Sequence, residues 1–270
     1  MIDKRKIKRS FNTYAYTYDQ SAHLQQKVAG ELIERVRALK IHPDHILDIG
    51  TGTGYIALAL KKLFPNATSQ ACDIAYGMIM VAKAKGEKLF CNQLDFISAD
   101  AECLPYRGEK FDLVISSLTY QWLDDWRCAF KEVLRVLQVG GIFFFTTLGD
   151  GTLFELRESY LQSYRELGNT GTAHLHNFIR RNALHTILFE EGFGEVSVES
   201  RFERQYHDGV KDLLISLKTI GAQNASKRNP PGLGKPKVFG RMVDTYEDRY
   251  RSNLGIPATY ELLFGFGRKA

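Results

Sequence analysis

The sequence predicts an α/β protein with a mostly parallel sheet and helices on both faces of that sheet. Three observations support this fold class. Short apolar runs alternate with helical segments between residues 21 and 148, a glycine-rich turn follows the first apolar run, and two segments near the C-terminus alternate in polarity like strands. Because short buried strands joined by helices form βαβ units, this order of elements predicts parallel strands.

The first predicted helix covers residues 21–40, where Leu24, Val28 and Leu32 recur at helical spacing. Five apolar runs then predict buried strands at about 45–50, 68–73, 94–99, 111–118 and 140–148. Helices are predicted between these strands at 54–64, 76–85 and 125–137. After the fifth strand, the pattern predicts helices at 152–167 and 176–191 and strands at 195–202 and 259–269, which brings the sheet to seven strands.

We expect residues 1–270 to form a single domain with two insertions, because a chain of this length can bury one sizeable core. The first insertion is helical and covers about 150–191, and the second covers about 206–255 between the last two strands. A connection as long as the second insertion usually has a function of its own. We expect this segment to form a basic lid or a partner-docking insertion. Its part at residues 218–241 is interrupted by prolines and glycines, so we expect that part not to pack into the core.

The positive charge of the chain is concentrated in two places. Hydrophobic residues make up 44% of the chain and charged residues 25%, which excludes a disordered or collagen-like protein. Of the net charge of +5, residues 1–10 contribute five Lys/Arg against one Asp, and residues 218–241 contribute six Lys/Arg and no acid. Such local basic charge indicates an acidic partner, which leaves nucleic acid, an acidic protein or an anionic small substrate as alternatives.

Several classes of protein are not indicated by the sequence. The longest near-apolar stretch, residues 139–148, is far shorter than a membrane helix, and no apolar signal segment follows the basic first ten residues. The four cysteines show no CxxC pairing, and His174 and His176 have no third metal ligand at suitable spacing. We therefore expect a soluble cytoplasmic protein without a disulfide framework or a metal site.

The sharpest motif is DIGTGTG at residues 48–54, where the first strand turns into a helix. Glycines at such a turn let the backbone approach a ligand closely and adopt positive φ. The loop lacks the Gly-Lys-Ser/Thr of a P-loop. It also departs from the GxGxxG of dinucleotide-binding folds, because Tyr55 stands where the third glycine would be. An acid followed by GxGxG instead resembles the S-adenosylmethionine (SAM) site of class I methyltransferases.

Acidic and small residues at the ends of later strands complete a candidate cofactor site. Asp73 ends the second strand, where its carboxylate can accept both ribose hydroxyls, and Asp100 follows the third strand, where it can accept from an adenine amine. The carboxyl ends of parallel strands form the edge at which open α/β sheets bind ligands. The candidate cofactor-binding residues are Asp48, Gly50, Gly52, Gly54, Asp73, Asp100, Ala101, Ser116 and Ser117.

Further segments extend the resemblance along the whole chain. They are SFNTYAYTYDQSAHLQ from residue 10, SSLTYQWLDD from 116, FFFTTLGDGTLFELRESY from 143, SLKTIGAQN from 216 and IPATYELLFGFGRK from 256. With these segments the chain resembles the malonyl-[acyl-carrier protein] O-methyltransferases of biotin synthesis. The resemblance implies the Rossmann-like class I methyltransferase fold, with a mostly parallel seven-stranded sheet and an antiparallel C-terminal strand.

The resemblance also implies an activity. The enzyme would methylate the free carboxylate of a malonyl thioester, with SAM as methyl donor and S-adenosyl-L-homocysteine as product. The malonyl group would be carried by an acidic acyl carrier protein or by coenzyme A. A carboxylate is already ionised near pH 7 and needs no general base, but a cation must steer it. The candidates for that cation are Lys218, Arg228, Arg180 and Arg181, of which the position in the basic lid favours Lys218 and Arg228. We expect Tyr18 to cover the methionine moiety or orient the carboxylate.

Other functions remain open at this stage. A SAM-dependent methyltransferase acting on a quinone precursor, another carboxylic acid or RNA would share the same glycine loop. A SAM-binding interaction protein without catalytic activity would share it as well. Transfer of a labelled methyl group from SAM to a malonyl thioester would separate these possibilities.

Overall fold

Residues 2–89, 92–169, 178–222 and 236–270 are described by the computed structural model of the chain. Seven strands form one sheet: β1 (His45–Ile49), β2 (Thr68–Asp73), β3 (Leu94–Ser98), β4 (Phe111–Ser117), β5 (Leu137–Leu148), β6 (Phe193–His207) and β7 (Ile256–Lys269). Their order in the sheet is β3-β2-β1-β4-β5-β7-β6. Strands β1 to β5 pair in parallel, and β7 is antiparallel to β5 and β6. The predicted fold class is therefore confirmed.

Strands β5 and β6 are longer than the sequence predicted, and β7 also begins earlier, at Ile256. Strand β5 begins at Leu137, which pairs with Phe111 before a register shift that takes up the extra residues on β5. Strand β6 continues to His207 because it pairs with β7 along its whole length, ending opposite Ile256. Pairing with a neighbouring strand thus extends both elements beyond their apolar runs.

Ten α-helices occur in the described ranges. They are α1 (Lys4–Tyr14), α2 (Tyr18–Ser21), α3 (His23–Ala38), α4 (Tyr55–Leu63), α5 (Tyr76–Lys88), α6 (Trp126–Val136), α7 (Phe154–Glu166), α8 (Arg181–Glu191), α9 (Val210–Thr219) and α10 (Pro236–Tyr250). The helices predicted between the strands are confirmed. Helices α1, α9 and α10 were not predicted. None of the helices in the described ranges is long and apolar enough to cross a membrane.

The sheet has an apolar cluster on each face, because alternate residues of a strand point to opposite faces. Ile46, Leu113 and Phe144 belong to a cluster that includes buried residues of α3, α4, α7, α9 and α10. Leu47, Val114, Phe143 and their neighbours belong to the other cluster, with buried residues of α6 and α8. Coverage on both faces explains why the central strands are apolar throughout.

The second insertion corrects one expectation from the sequence. Helices α9 and α10 lie within residues 206–255, and their side chains Leu213, Val238, Met242 and Tyr246 are buried in the core. The Tyr246 hydroxyl donates to the carbonyl oxygen of Pro257 at 2.6 Å. Val238 lies in the part at 218–241 that was expected not to pack into the core, so that expectation was wrong at this residue. Four of its prolines and glycines lie at 230–234, outside the described residues, and both flanking stretches are helical.

Candidate active site

The glycine loop lies between β1 and α4 at the carboxyl ends of the parallel strands. Gly50 has φ +70°, and a Cβ there would lie 2.0 Å from Thr119 Oγ1, so the packing of the chain itself requires glycine. Gly52 has φ +54°, and a Cβ there would meet no atom within 4 Å. Gly50 therefore shapes the turn, whereas Gly52 leaves backbone exposed to a ligand.

A cavity of about 730 Å³, which we call the loop cavity, opens beside this turn. The candidate residues on its wall are Gly50, Gly52, Asp73, Asp100, Ala101 and Ser117. These six residues therefore share one cavity at the carboxyl ends of the parallel strands.

Asp73 is held in place by backbone donors. Its Oδ2 accepts from the N–H of Gly52 at 2.9 Å, and its Oδ1 accepts from the N–H of Ala75 at 2.8 Å. Burial raises the pKa of Asp73 to about 6, although these two hydrogen bonds lower it. Because an ionised carboxylate can accept about four hydrogen bonds, Asp73 retains the capacity to bind two hydroxyl groups.

Asp100 is joined to the N-terminal helix. The Lys4 ammonium donates to Asp100 Oδ2 at 2.6 Å and to Glu102 Oε2 at 2.6 Å, and Asp100 Oδ1 accepts from the N–H of Glu102 at 3.0 Å. Lys4, Ile7 and Phe11 of α1 also line the loop cavity. These residues of α1 were not predicted from the sequence to belong to the site. A ligand amine bound at Asp100 would share the carboxylate with Lys4.

Asp48 borders a second space, a recess of about 480 Å³ next to the glycine loop. Its side chain is 1% exposed, and neither carboxylate oxygen has a hydrogen-bond partner among the described residues. Burial raises the pKa of Asp48 to about 7, although the nearby Thr51 hydroxyl and Ala57 N–H lower it. A buried carboxylate without a cationic partner is unfavourable on its own, so this recess favours a ligand with a cationic group.

A third space of about 1160 Å³, the apolar cavity, adjoins the loop cavity. The two cavities share Phe11, Tyr18, Leu118 and Trp122 on their walls. The rings of Phe11 and Trp122 meet edge to face with their centroids 5.7 Å apart. Arg157 of α7 is the one charged side chain among the described residues that line the apolar cavity.

Tyr18 borders the loop cavity, the recess and the apolar cavity, and no other described residue borders all three. Burial raises the pKa of its phenol, and the carboxylates of Asp73 and Asp19 raise it further. The hydroxyl is therefore protonated near neutral pH. At the junction of the three spaces it can donate a hydrogen bond but does not serve as a base.

Three predicted residues are not brought to these cavities, and a fourth lies outside the described residues. Ser116 is fully buried and donates to the carbonyl oxygen of Ile49 at 2.7 Å. Gly54 has φ +87° and faces Ala82, where a Cβ would lie 3.0 Å from the Ala82 Cβ. Lys218 is exposed on α9 and lines none of the three spaces. Arg228 lies outside the described residues, as do His174 and His176.

Comparison with known proteins is consistent with this arrangement. A family model described as a methyltransferase domain matches residues 47–145. The malonyl-[acyl-carrier protein] O-methyltransferase of Geobacter sulfurreducens is 38% identical over 270 residues, which cover all of both chains. The biotin biosynthesis bifunctional protein BioHC of Saccharophagus degradans is 35% identical over 97% of this chain and 46% of its own length.

A solved structure shows the same fold at low sequence identity. It is a phosphoethanolamine N-methyltransferase 2 of Haemonchus contortus, in complex with phosphomonomethylethanolamine and S-adenosylhomocysteine. It has a TM-score of 0.62 and 17% identity to this chain, and the match covers 96% of this chain and 57% of that one.

The buried Asp48 predicts an unusual dependence of stability on pH. Its folded pKa of about 7 lies above the ordinary value of 3.8, so the folded state binds the proton more tightly than the unfolded chain. The ionised side chain therefore lowers stability at pH 8, and this effect disappears as the pH falls from about 7 toward 4. Without ligand, we expect Asp48→Asn to raise the free energy of unfolding by roughly 1–4 kcal/mol at pH 8.

The measurement is urea unfolding of the wild type and the variant between pH 5 and pH 8. The difference between them should shrink as the pH is lowered. Asp44→Asn is the matched control, because Asp44 lies four residues earlier in the chain and is exposed. An Asp48→Asn variant that is less stable than the wild type at pH 8 would contradict this account of the recess.

Proposed function

The chain belongs to the family of malonyl-[acyl-carrier protein] O-methyltransferases. From this premise we propose which cavity binds the methyl donor and which binds the malonyl substrate. The protein is a SAM-dependent carboxyl O-methyltransferase that converts the free carboxylate of a malonyl thioester to the methyl ester for biotin synthesis. The observation that carries the proposal is the wall shared by the loop cavity and the apolar cavity, where Tyr18 is located.

The residues of the loop cavity and the recess fit SAM. Asp73 has acceptor capacity for the ribose hydroxyls, and Asp100 with Ala101 lies where an adenine amine would be bound. The unpaired carboxylate of Asp48 fits the ammonium group of the methionine end, and the open space at Gly52 lets the ligand contact the backbone. When bound, SAM supplies an electrophilic methyl group on a positively charged sulfur.

The apolar cavity fits the malonyl group. A malonyl carboxylate is ionised near pH 7, so no residue has to remove a proton. The chain has to position the carboxylate and exclude water, because charge is neutralised as the ester bond forms. Phe11, Leu118 and Trp122 provide an apolar wall at the junction, and the protonated phenol of Tyr18 provides one hydrogen-bond donor there.

Arg157 is the cation that we assign to the malonyl carboxylate. It is partly buried, and its Nη1 donates to the carbonyl oxygen of Asp150 at 2.9 Å. No carboxylate among the described residues forms an ion pair with Arg157, so its charge is available to a ligand in the apolar cavity. A cation anchored by a neutral carbonyl attracts the substrate carboxylate without a competing anion.

We assign Lys218 to the acidic carrier and not to the malonyl carboxylate. It is exposed on α9 directly after Leu217, which lines the apolar cavity. It is therefore better placed to meet an acidic carrier outside the cavity than to bind the carboxylate inside. The substrate of the relatives is carried by an acyl carrier protein, and coenzyme A offers the same thioester arm as a second candidate carrier.

The direct test of the function is transfer of a labelled methyl group from SAM to malonyl-carrier protein. We expect the malonyl thioester to be labelled and an acetyl thioester to remain unlabelled, because acetyl has no terminal carboxylate. Base hydrolysis should release the label as methanol. Labelling of the acetyl control, or none of the malonyl substrate, would contradict the proposed function.

The cofactor assignment predicts the effect of Asp73→Ala. Loss of a charged acceptor of two hydroxyl groups should weaken SAM binding by about 1.5–3 kcal/mol. Isothermal titration calorimetry measures the change, with Asp95→Ala as control because Asp95 is exposed on β3 and lines none of the three cavities. Unchanged SAM affinity in Asp73→Ala would remove Asp73 from the site.

The substrate assignment predicts the effect of Arg157→Gln. Removing the charge should lower kcat/KM for malonyl-carrier protein roughly 10- to 100-fold, mainly through KM, while the Kd for SAM stays the same. Arg157→Lys keeps the charge, so its kcat/KM should fall between the values of the wild type and Arg157→Gln. Arg180→Gln is the matched control, because Arg180 also contacts Asp150 but its side chain is 82% exposed. Equal kinetics for both glutamine variants would rule out Arg157 as the anchor.

A further inference from the structure

A fourth space, outside the site described so far, adjoins the apolar cavity. It measures about 810 Å³ and lies between the start of α3, the end of β6 and α9. It shares Leu24, Gln25, Leu217, Ile220 and Tyr260 with the apolar cavity and no residue with the loop cavity. The apolar cavity therefore lies between the loop cavity and this fourth space, which we call the polar channel.

The walls of the polar channel are polar but uncharged. The residues that it does not share with the apolar cavity are Ser21, His23, Gln205, Tyr206, His207 and Ser216. None of the described residues lining it is an aspartate, glutamate, lysine or arginine. These hydroxyl, amide and imidazole groups can both donate and accept hydrogen bonds. Such a lining suits a neutral chain with amide and hydroxyl groups rather than a charged ligand.

One group in the channel has no hydrogen-bond partner among the described residues. The Nε2 atom of His207 is buried and makes no hydrogen bond among the described residues. Burial lowers the pKa of His207, so its imidazole is neutral near pH 7. A buried polar atom without a partner is costly, and a ligand amide or hydroxyl would satisfy it.

The channel also opens beside exposed positive charge. Ser216 and Leu217 of α9 and the following Ile220 line the channel, and Lys211 and Lys218 are exposed on the same helix. Neither lysine forms an ion pair with a described residue. A neutral passage beside a helix with exposed cations matches an arm that is uncharged along its length and joined to a phosphate and an acidic carrier at its outer end.

We infer that the polar channel is the passage for the pantetheine arm of the substrate. This inference rests on the proposed function, since that function supplies a malonyl thioester on such an arm. The arm has two amides and a hydroxyl between the thioester and the terminal phosphate. With the arm in the channel, the malonyl carboxylate reaches the junction at Tyr18 first and the thioester follows behind it, while the carrier stays at the surface.

The test fills the channel and compares two substrates. Ser216→Trp places a large side chain in the channel, and Ile215→Trp is the matched control because Ile215 is 58% exposed and does not line it. The substrates are malonyl-carrier protein and the malonyl thioester of methanethiol, which has no arm. For Ser216→Trp, we expect the loss of kcat/KM with the carrier substrate to exceed the loss with the short thioester by roughly tenfold, equivalent to about 1.4 kcal/mol.

A second variant distinguishes a blocked channel from a folding defect. Gln205→Trp blocks the channel from β6 instead of α9 and should show the same selective loss. The Kd for SAM, measured for each variant, reports whether the loop cavity is intact. Equal losses with both substrates, or no loss with malonyl-carrier protein in either blocked variant, would overturn the inference. Absence of methylation of both substrates by the wild type would instead overturn the proposed function.

Discussion

The structure depends on a concentration of acidic side chains at the carboxyl ends of β1, β2 and β3. Asp48, Asp73 and Asp100 lie beside connected spaces at one edge of the sheet. The chain satisfies them unequally: Asp100 has an ion pair with Lys4, Asp73 has two backbone donors, and Asp48 has no partner among the described residues. Since unpaired buried charge is unfavourable, this edge is prepared for a ligand with positive charge. A sulfonium methyl donor with an ammonium group meets that requirement.

The N-terminal segment closes this edge from outside. Besides the Lys4 ion pair, Asn12 Oδ1 accepts from the N–H of Gly77 at 2.6 Å, and the Asp19 carboxylate accepts from Thr53 Oγ1 at 2.6 Å and pairs with Lys85. These contacts position Phe11 and Tyr18 over the junction between the loop cavity and the apolar cavity. The reaction needs exclusion of water at the reacting groups more than it needs proton transfer. The residues that exclude water are thus far from the glycine loop in sequence.

The parts of the site that are local in sequence could be predicted, and the parts set by tertiary packing could not. Gly50 and Asp73 follow from the strand–turn–helix pattern, whose geometry is determined over a few residues. Ser116 was assigned to the cofactor because it ends β4, but alternation along the strand turns it toward Ile49. Arg157 lies in one of the segments that carry the family resemblance, but its place on the apolar cavity depends on how α7 packs. Helix α1 has only Ile7 buried, which is too weak an apolar pattern for prediction.

The most direct test of this account is the number of protons released when S-adenosyl-L-homocysteine binds. Titration calorimetry at pH 7 in buffers of different ionisation enthalpy measures it. Asp48, with a pKa of about 7, is half protonated in the free protein, and an ammonium group beside it would lower that pKa. We expect Asp48 to release roughly half a proton per ligand bound in the wild type. The Asp48→Asn variant should release roughly half a proton less than the wild type. The same proton release in both proteins, or none in the wild type, would contradict a recess built for a cationic group.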